Sequence, residues 1–459
     1  MEYPFLKGFV ECIRDISGTP YLVGGSVRDL LLGQTPDDLD IEVFGVEHEL
    51  LDQQLRKKFR VDFVGKTFGV FKLKGLPIDV SLPRTERAIG GKHTDFEVTL
   101  APRLSLEQAA SRRDFTINSI YLNLNTLKIE DPLSGEEDLK KGILRHSSKQ
   151  FVEDPLRVLR AMQFISRFDL TCAPETLEIC RSMNQGHLPK ERIFEEFKKL
   201  ILKGKNIRAG LQFLADCRWI SMFPELEALI GCEQDAKWHP EGDVWQHTLL
   251  SMNAFANRRS GDSKEDLIIG LAVLCHDLGK PTTTIHVDGR IRSPRHDVEG
   301  IAPTVSFLNR LTDERKLLEA IPPLVKEHMA PLALQKNKAG DAAVRRLAIR
   351  VGRLDRLMRV CRADREGRQD PWEPLPSPEV EWLIEKMETL QLSDKKPKPI
   401  LFGRDLIELG FEPGKKMGDL LKQLFEAQLD GKFHTREEGI AYLHENCKTT
   451  QKSSLLDDN

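Results

Sequence analysis

The stretch YLVGGSVRDLLLGQTPDDLDIEVFG, residues 21–45, decides the fold of the first third of the chain. Its start predicts a strand that runs into a glycine turn at Gly24 and Gly25. Its end, DLDIEV, alternates apolar and polar residues as a strand does. Glycine lets a backbone approach a ligand closely, and Arg28 nearby could pair with phosphate. The stretch therefore indicates an anion-binding turn between two strands.

Two carboxylates lie in the second of these strands. Asp38 and Asp40 stand two positions apart, so both side chains project from the same face. Neighbouring carboxylates repel unless a cation lies between them, and Mg²⁺ prefers such oxygens and shares them with phosphates. The alternative is an Asp-rich turn that is only solvated. Asp79, in the predicted strand of PIDVSLPR, is the best candidate for a third acid of a two-metal site, or else a solvated acid at a strand edge.

The bulk composition bounds the class of protein. The chain has 459 residues, 40% of them hydrophobic, and a net charge of −3. This balance excludes a basic coat over the whole surface, so a nucleic-acid partner would need a local basic face. Eight cysteines without a CxxC pair are typical of reduced thiols. There is no apolar signal core, and the longest apolar run is too short for a bilayer, so we expect a cytoplasmic protein without a membrane partner.

The pattern of apolar residues changes from about Asp154, where helical spacing begins and continues to the end. We therefore expect an α+β chain, with a small head of mixed β-sheet and flanking helices before an extended all-helical body. The Lys- and Pro-rich stretch METLQLSDKKPKPILFG is typical of a linker. The expected divisions are a head (1–150), a helical neck (151–230), a third domain (231–390), a helical tail (396–450) and a disordered end (451–459).

Arginines beside acids form the next candidate group. SRRDFTINSI contains Arg112, Arg113 and Asp114, and guanidinium forks suit the phosphates and ribose of a nucleotide. Asn118 would face the same side as Asp114 if this segment is helical. The alternative is a charged helix start capped by Asp114, which leaves both arginines unexplained.

A second Asp and Arg motif follows in EDPLRVLRAMQF. Asp154 and Pro155 are a typical helix start, and Arg157 and Arg160 follow at spacings of three. A carboxylate can accept the amino proton of cytosine or adenine, while a guanidinium donates to the ring nitrogen. Such a pair would select C and A, because guanine and uracil present a carbonyl instead. The alternative is an ordinary capped helix with an ion pair of ~0.3–0.5 kcal/mol.

These motifs occur in one order between about Tyr21 and Leu200, and they resemble the class II tRNA nucleotidyltransferase and bacterial poly(A) polymerase family, of the DNA polymerase beta superfamily. The resemblance implies Mg²⁺ on Asp38 and Asp40. It implies further contacts to nucleotide: the triphosphate on Gly24, Gly25 and Arg28, phosphate and ribose on Arg112, Arg113 and Asp114, and the base on Glu153, Asp154 and Arg157. PRTERAIGGKHTDFEV, residues 83–98, resembles the flexible loop of that family, which disfavours an enzyme that adds only CC.

A second site is indicated in the helical body by LAVLCHDLGKP. His276 and Asp277 are adjacent within an apolar helix, which is costly unless a metal or partner satisfies them. His247 and Asp364 would complete a set of four ligands. The set resembles the HD phosphohydrolase domain, with His296 and His328 as additions. That resemblance implies hydrolysis of 2′,3′-cyclic phosphates and other phosphate esters with a transition metal such as Ni²⁺, Mn²⁺ or Co²⁺, the alternative being an inactive scaffold for tRNA.

Together the two resemblances imply template-independent addition of CCA to the 3′ end of tRNA. The expected reaction is a two-metal nucleotidyl transfer from CTP and ATP with release of pyrophosphate. The expected partner is the acceptor stem and 3′ end of tRNA, bound by a monomer or homodimer. Three alternatives remain within the family: an enzyme that adds only A, one that adds only CC, or a poly(A) polymerase. One alternative of another class is a phosphohydrolase whose head only binds RNA.

Overall fold

The computed structural model describes residues 4–64, 69–88, 96–369, 372–392 and 394–453. It divides into two compact units, residues 1–224 and 225–459. The first unit carries the sheet and the second is almost entirely helical, which confirms the predicted α+β class. Among the described residues, no helix is long and apolar enough to cross a membrane.

A seven-stranded mixed sheet forms the head of the first unit. Its order is β3-β4-β5-β2-β1-β8-β9, in which β2 and β5 are parallel and the other neighbours are antiparallel. A separate pair, β6 with β7, is antiparallel. The strands are β1 (Thr19–Val23), β2 (Leu39–Phe44), β3 (Val61–Val64), β4 (Val70–Leu73), β5 (Ile78–Ser81), β6 (Arg84–Ala88), β7 (Phe96–Leu100), β8 (Tyr121–Asn123) and β9 (Ile129–Glu130).

The predicted alternation in β2 is confirmed at Asp40 but not beyond it, because Glu42 is buried together with Ile41 and Val43. Leu39, Ile41 and Val43 are buried in one core cluster, whereas Asp40 between them is exposed. Each fully buried aliphatic side chain contributes about 1.5–3 kcal/mol, so this register is strongly fixed. The core thereby holds Asp40 on the opposite face of the strand.

Helices surround the sheet and form the rest of the first unit. Gly210 lets the helix of residues 207–216 pack closely on the helix of residues 156–168, because a Cβ at Gly210 would lie 2.5 Å from the carbonyl oxygen of Met162. Two of the helices begin with side-chain caps, on Ser105 and Asn206. The helices are α1 (Pro4–Arg14), α2 (Gly25–Leu31), α3 (His48–Lys58), α4 (Leu106–Ser111), α5 (Gly135–Lys141), α6 (Leu156–Phe168), α7 (Pro174–Ser182), α8 (Lys190–Lys203) and α9 (Ile207–Asp216).

The second unit contains the remaining helices. Asp243 caps the helix that carries His247, and Asp262 caps the helix that leads into His276. The helices are α10 (Pro224–Glu227), α11 (Val244–Asn257), α12 (Ser263–Cys275), α13 (Lys280–Thr283), α14 (His296–Glu299), α15 (Ile301–Leu311), α16 (Arg315–Glu327), α17 (Ala330–Lys336), α18 (Asp341–Val351), α19 (Leu354–Glu366), α20 (Pro378–Leu390), α21 (Gly403–Glu408), α22 (Lys415–Leu429) and α23 (Arg436–Ser453).

Two details of the expected helical body are corrected. It is not entirely helical, because β10 (Ile143–Leu144) pairs with β11 (Thr171–Cys172), and β12 (Ile285–Val287) forms a hairpin with β13 (Arg290–Arg292). The last helix runs to Ser453, three residues into the segment predicted to be disordered, while residues 454–459 lie outside the described residues.

Candidate nucleotide site and histidine cluster

The acids of the first unit meet on two adjacent strands. Asp40 in β2 lies directly opposite Asp79 in the parallel strand β5, and Asp38 immediately precedes β2. Although Asp40 is reached by solvent, partial loss of hydration raises the pKa of its carboxyl group, and the charges of Asp79 and Asp38 raise it further against the effect of Arg113. Asp79 also accepts a bond of 2.7 Å from Lys72 on β4. The structure thus brings the three predicted acids to one face.

This donor set fits a divalent cation. A carboxylate whose pKa is raised by loss of hydration and by neighbouring acids, as that of Asp40 is, gains from a cation between it and those acids. The acids are nevertheless spread out, since the compact groups of three metal-ligating side chains among the described residues all lie in the second unit.

The glycine turn stands against these acids. Gly24 has a φ of +67°, which side chains rarely adopt. A Cβ on Gly24 would lie 3.1 Å from Nη1 of Arg113 and 4.0 Å from Oδ2 of Asp40. Ser26 ties the turn to β2, because its hydroxyl donates to the carbonyl of Asp38 and accepts from the amide of Asp40. The turn is therefore held beside Asp40, with room only for glycine.

A chain of buried polar groups follows from Arg28. Its Nη1 donates to Oδ1 of Asn118 (2.6 Å), and Nδ2 of Asn118 donates to Oδ1 of Asp114 (2.9 Å). The other oxygen of Asp114 accepts from Nε of Arg160 (2.7 Å). Burial raises the pKa of Asp114, but Arg160 and Asn118 outweigh it, so that the pKa is lowered. These four predicted residues form one hydrogen-bonded network, in which the carboxylate of Asp114 is held ionised.

Arg112 and Arg113 bind a residue that the sequence reasoning missed. Both donate to the carboxylate of Glu42, which is fully buried, and Arg113 also donates to the hydroxyl of Tyr121 (3.4 Å). Glu42 could have been found, because it lies two positions beyond Asp40 and so continues the face of Asp38 and Asp40.

Two of the three residues expected to recognise the base, Asp154 and Arg157, are bound by other groups of the protein. Arg157 donates to the backbone carbonyls of Gln150 (2.9 Å) and Arg112 (2.7 Å). Asp154 accepts from the amide of Leu156 (3.0 Å) and from Arg192 (3.1 Å). The predicted cap at Asp154 is present, with α6 beginning at Leu156, one residue after the predicted Pro155.

Eight of the predicted nucleotide-site residues line a cavity of about 270 Å³. Its lining combines cations, acids and an aromatic ring, as a nucleotide requires, and four of its members were not predicted: Gln163, Phe164, Arg167 and Lys199. The remaining lining residues are Gly24, Gly25, Arg28, Asp40, Arg113, Asp114, Asn118 and Arg160. Asp154 and Arg157 lie outside this lining.

The segment that resembles a flexible loop is only partly described. Its two ends form β6 and β7, which pair from Arg84 with Leu100 to Ala88 with Phe96. Residues 89–95, between these strands, lie outside the described residues.

Four predicted ligands meet in the second unit. Nε2 of His247 lies 3.3 Å from Nε2 of His276 and 3.1 Å from Oδ1 of Asp364. Nε2 of His276 lies 3.2 Å from Oδ2 of Asp277. The two side chains most distant in sequence, those of His247 and Asp364, come from α11 and α19, which pack together.

The two additional histidines join the same cluster. Nε2 of His296 lies 3.2 Å from Nε2 of His328 and 3.5 Å from Oδ1 of Asp277. Asp277 therefore borders two groups, one with His247 and His276 and the other with His296 and His328. Burial, together with His276 and His296, lowers the pKa of His328 to about 4.

The orientation of these histidine rings follows from their partners. Nδ1 of His276, His296 and His328 faces the backbone oxygens of Val273, Ser293 and Val325, and Nδ1 of His247 faces Glu241. Oxygens of this kind only accept, so each Nδ1 donates a hydrogen bond and each Nε2 is turned towards the cluster. The Nε2 atoms of His247 and His276, and those of His296 and His328, lie 3.2–3.3 Å apart, beside the carboxylates of Asp277 and Asp364. The donor set therefore fits transition metals, which imidazole favours.

Two residues around this cluster escaped the sequence reasoning. Glu241 accepts from Nδ1 of both His247 (2.7 Å) and His239 (2.9 Å). Lys280 lies 2.7 Å from Asp277. A cavity of about 440 Å³ opens beside them, with a lining that includes Asp277, His296, His328, Asp364, Arg368 and the exposed Trp238. The sequence spacing of metal ligands does not reveal either residue, because Glu241 and Lys280 bind side chains that would ligate the metal and not the metal itself.

Among the comparisons with known proteins, one matches the head region alone and the others match most of the chain. A family model described as the poly A polymerase head domain matches residues 20–145. The multifunctional CCA protein of Stenotrophomonas maltophilia (strain R551-3) is 35% identical over 365 residues, which are 76% of this chain and 86% of the relative. The crystal structure of the Bacillus stearothermophilus CCA-adding enzyme in complex with CTP matches with a TM-score of 0.66 at 24% identity, over 99% of this chain and 100% of the other. The Thermotoga maritima CCA-adding enzyme complexed with tRNA matches with a TM-score of 0.60 at 21% identity, over 97% and 96%.

Proposed function

This chain belongs to the CCA-adding enzyme family of nucleotidyltransferases, and from that premise we propose that it adds C, C and A to the 3′ end of tRNA, using CTP and ATP. The observation that supports this most is one cavity that joins Asp40 to the glycine turn, Arg28 and Arg113. The relatives bind CTP and tRNA, which supports both as partners here.

The reaction that we propose is an in-line displacement. The 3′ hydroxyl oxygen of tRNA bonds to the α-phosphorus, the bond to the β-phosphate breaks, and pyrophosphate leaves while the hydroxyl proton passes to water. Backbone at Gly24 and Gly25, with Arg28 and Arg113, would bind the leaving phosphates. Asp38 and Asp40, with Asp79 as the third acid, would hold Mg²⁺, which lowers the pKa of the hydroxyl and offsets phosphate charge.

We assign recognition of the base to Asp154 and Arg157, with Glu153 beside them. In the structure a base would have to compete with Arg192 for Asp154, and with two backbone carbonyls for Arg157. Replacing Arg157 with Ala should therefore reduce the preference for CTP and ATP over UTP and GTP. Comparable loss of addition for all four nucleotides would contradict this role.

Reactions with single nucleotides separate the rivals within the family. On tRNA that ends at the discriminator base, a complete enzyme adds two residues with CTP alone. An A-adding specialist leaves this substrate unextended but extends tRNA ending in CC, and a CC-adding specialist does the reverse. A poly(A) polymerase adds a long tract with ATP alone.

A second activity is supported by the histidine cluster. We propose that His247, His276, Asp277 and Asp364, with His296 and His328, hold Ni²⁺, Mn²⁺ or Co²⁺ and hydrolyse 2′,3′-cyclic phosphates and related esters. The four Nε2 atoms that converge beside the carboxylates of Asp277 and Asp364 support this most. Metal-loaded protein should release product from 2′,3′-cyclic nucleotides, and the metal-free protein should not. No release with any of the three metals would dismiss the activity, and release without any nucleotide addition would favour the head as a mere RNA-binding module.

The finer division into head, neck, third domain and tail is also part of this proposal. The boundary at 150 would divide the head from a neck that lines the same cavity, the boundary at 230 would separate both from the histidine cluster, and the boundary at 390 would separate that cluster from the tail. Lysines at the start of α22 would contact RNA phosphates.

A further inference from the structure

Glu42 is a buried carboxylate whose two oxygens bind two arginines. Oε1 accepts from Nη2 of Arg112 and Oε2 accepts from Nη2 of Arg113. Its side chain is fully buried, whereas the two arginines are about one-sixth exposed. One anion thus joins two adjacent cations that would otherwise repel each other.

The location of Glu42 ties this group to the nucleotide cavity. Glu42 stands two residues beyond Asp40 in β2, so their side chains share a face about 6.6 Å apart along the strand. Arg113 extends from Glu42 to the glycine turn, where its Nη1 is 3.1 Å from the position of a Cβ on Gly24. The ring of Tyr121 lies against the same guanidinium, 5.5 Å from its centre.

We propose that Glu42 is a positioning residue for nucleotidyl transfer, which holds Arg113 where it meets the triphosphate and fixes Arg112 beside it. This inference rests on the proposed function of the cavity. Glu42 itself does not contact the nucleotide, because it is buried beneath both arginines. The two guanidiniums together exceed the charge of Glu42, so a net positive charge remains beside Asp40 for an incoming triphosphate.

The test compares E42Q with the full-length wild-type protein in steady-state addition of CTP and of ATP to tRNA. Gln keeps the shape but loses the charge that holds both forks, so the KM for each nucleotide should rise about tenfold while kcat changes less than about threefold. E42D keeps the buried charge and is the safer variant for folding. Its carboxylate is one methylene shorter, so the KM should rise about threefold.

Two controls separate positioning from stability. E49Q removes a charge from the exposed surface of α3 and should leave both constants unchanged. In the R113Q background, adding E42Q should raise the KM by less than it does in the wild type, because the two changes act through one contact.

The other outcomes contradict the inference. An unchanged KM in E42Q and E42D with a lower Tm would make Glu42 a residue of stability alone. A lower KM would mean that Glu42 competes with the triphosphate for the arginines. If the wild-type protein adds no nucleotide, the proposed function fails first, whereas an active wild type with an unaffected E42D refutes only the role of Glu42.

Discussion

Asp40 and Asp79 lie directly opposite each other in two adjacent parallel strands, although 38 positions of sequence separate them. Their carboxylates are on the face that also carries the glycine turn. We therefore expect Asp40→Asn to reduce nucleotide addition at least about a hundredfold, as loss of a central electrostatic group does. Binding of tRNA, measured by gel shift, should change little. Asp15→Asn, at an exposed surface ion pair, is the matched control, and retained addition in D40N would refute the metal assignment.

The raised pKa of Asp40 has a consequence for stability. The folded state holds the proton more tightly than the unfolded state, so ionisation of Asp40 costs stability once the pH exceeds the unfolded value. Without divalent metal at pH 7, D40N should therefore have a higher Tm than the wild type. The difference should shrink as the pH falls through the folded pKa of Asp40 towards the unfolded value. Thermal melts at several pH values measure this, and a D40N protein less stable at neutral pH would contradict it.

Gly24→Ala should weaken nucleotide binding. The backbone of Gly24, with φ +67° and ψ −135°, is one that residues with side chains rarely adopt, at a cost of about 1–3 kcal/mol, and the new Cβ would press on Arg113 at 3.1 Å. Because Arg113 is the flexible partner, it should move and the KM for CTP should rise, with a Tm lowered by a few degrees. Gly33→Ala is a suitable control, since it has a similar φ of +72° and open space around its Cβ. Equal effects of both variants on the KM would show that backbone strain alone is responsible.

Glu241→Gln should weaken metal binding in the second unit. Glu241 accepts from Nδ1 of His247 and so directs the Nε2 lone pair towards the cluster. Loss of such a supporting carboxylate typically lowers metal affinity about 10–100-fold. Titration calorimetry with Ni²⁺ measures this without any assay of hydrolysis, and Glu385→Gln on an exposed face of α20 is the control. Unchanged affinity in E241Q would remove Glu241 from the site.

The sequence predicted what depends on local periodicity and on recognisable motifs. The face shared by Asp38 and Asp40 follows from the strand period. Asp114 pairs with Asn118 as expected, although Asp114 is not helical and only Thr116–Asn118 form a short 3-10 turn. Partners that are distant in sequence were harder to foresee. Glu42 meets Arg112 and Arg113 across about 70 positions, and no periodicity relates a buried carboxylate to a later arginine.

The histidine cluster was likewise predicted only in part. Motif resemblance found its ligands, because imidazoles and carboxylates in an apolar helix need partners. It did not find Glu241, whose role depends on which nitrogen of His247 carries the proton. Similarly, the contacts of Arg157 depend on where the 3-10 turn that contains Gln150 and the end of α4 at Arg112 place their backbone carbonyls, which side-chain identity does not encode.

The most direct test of the central claim is the sequence of the 3′ end after reaction. Transcribed tRNA that ends at the discriminator base is incubated with the full-length protein, Mg²⁺, CTP and ATP, and the product ends are sequenced. If the protein adds CCA, we expect the product ends to carry C, C and A and to terminate after the A. Ends that remain unextended, or that carry a tract of A, would contradict it.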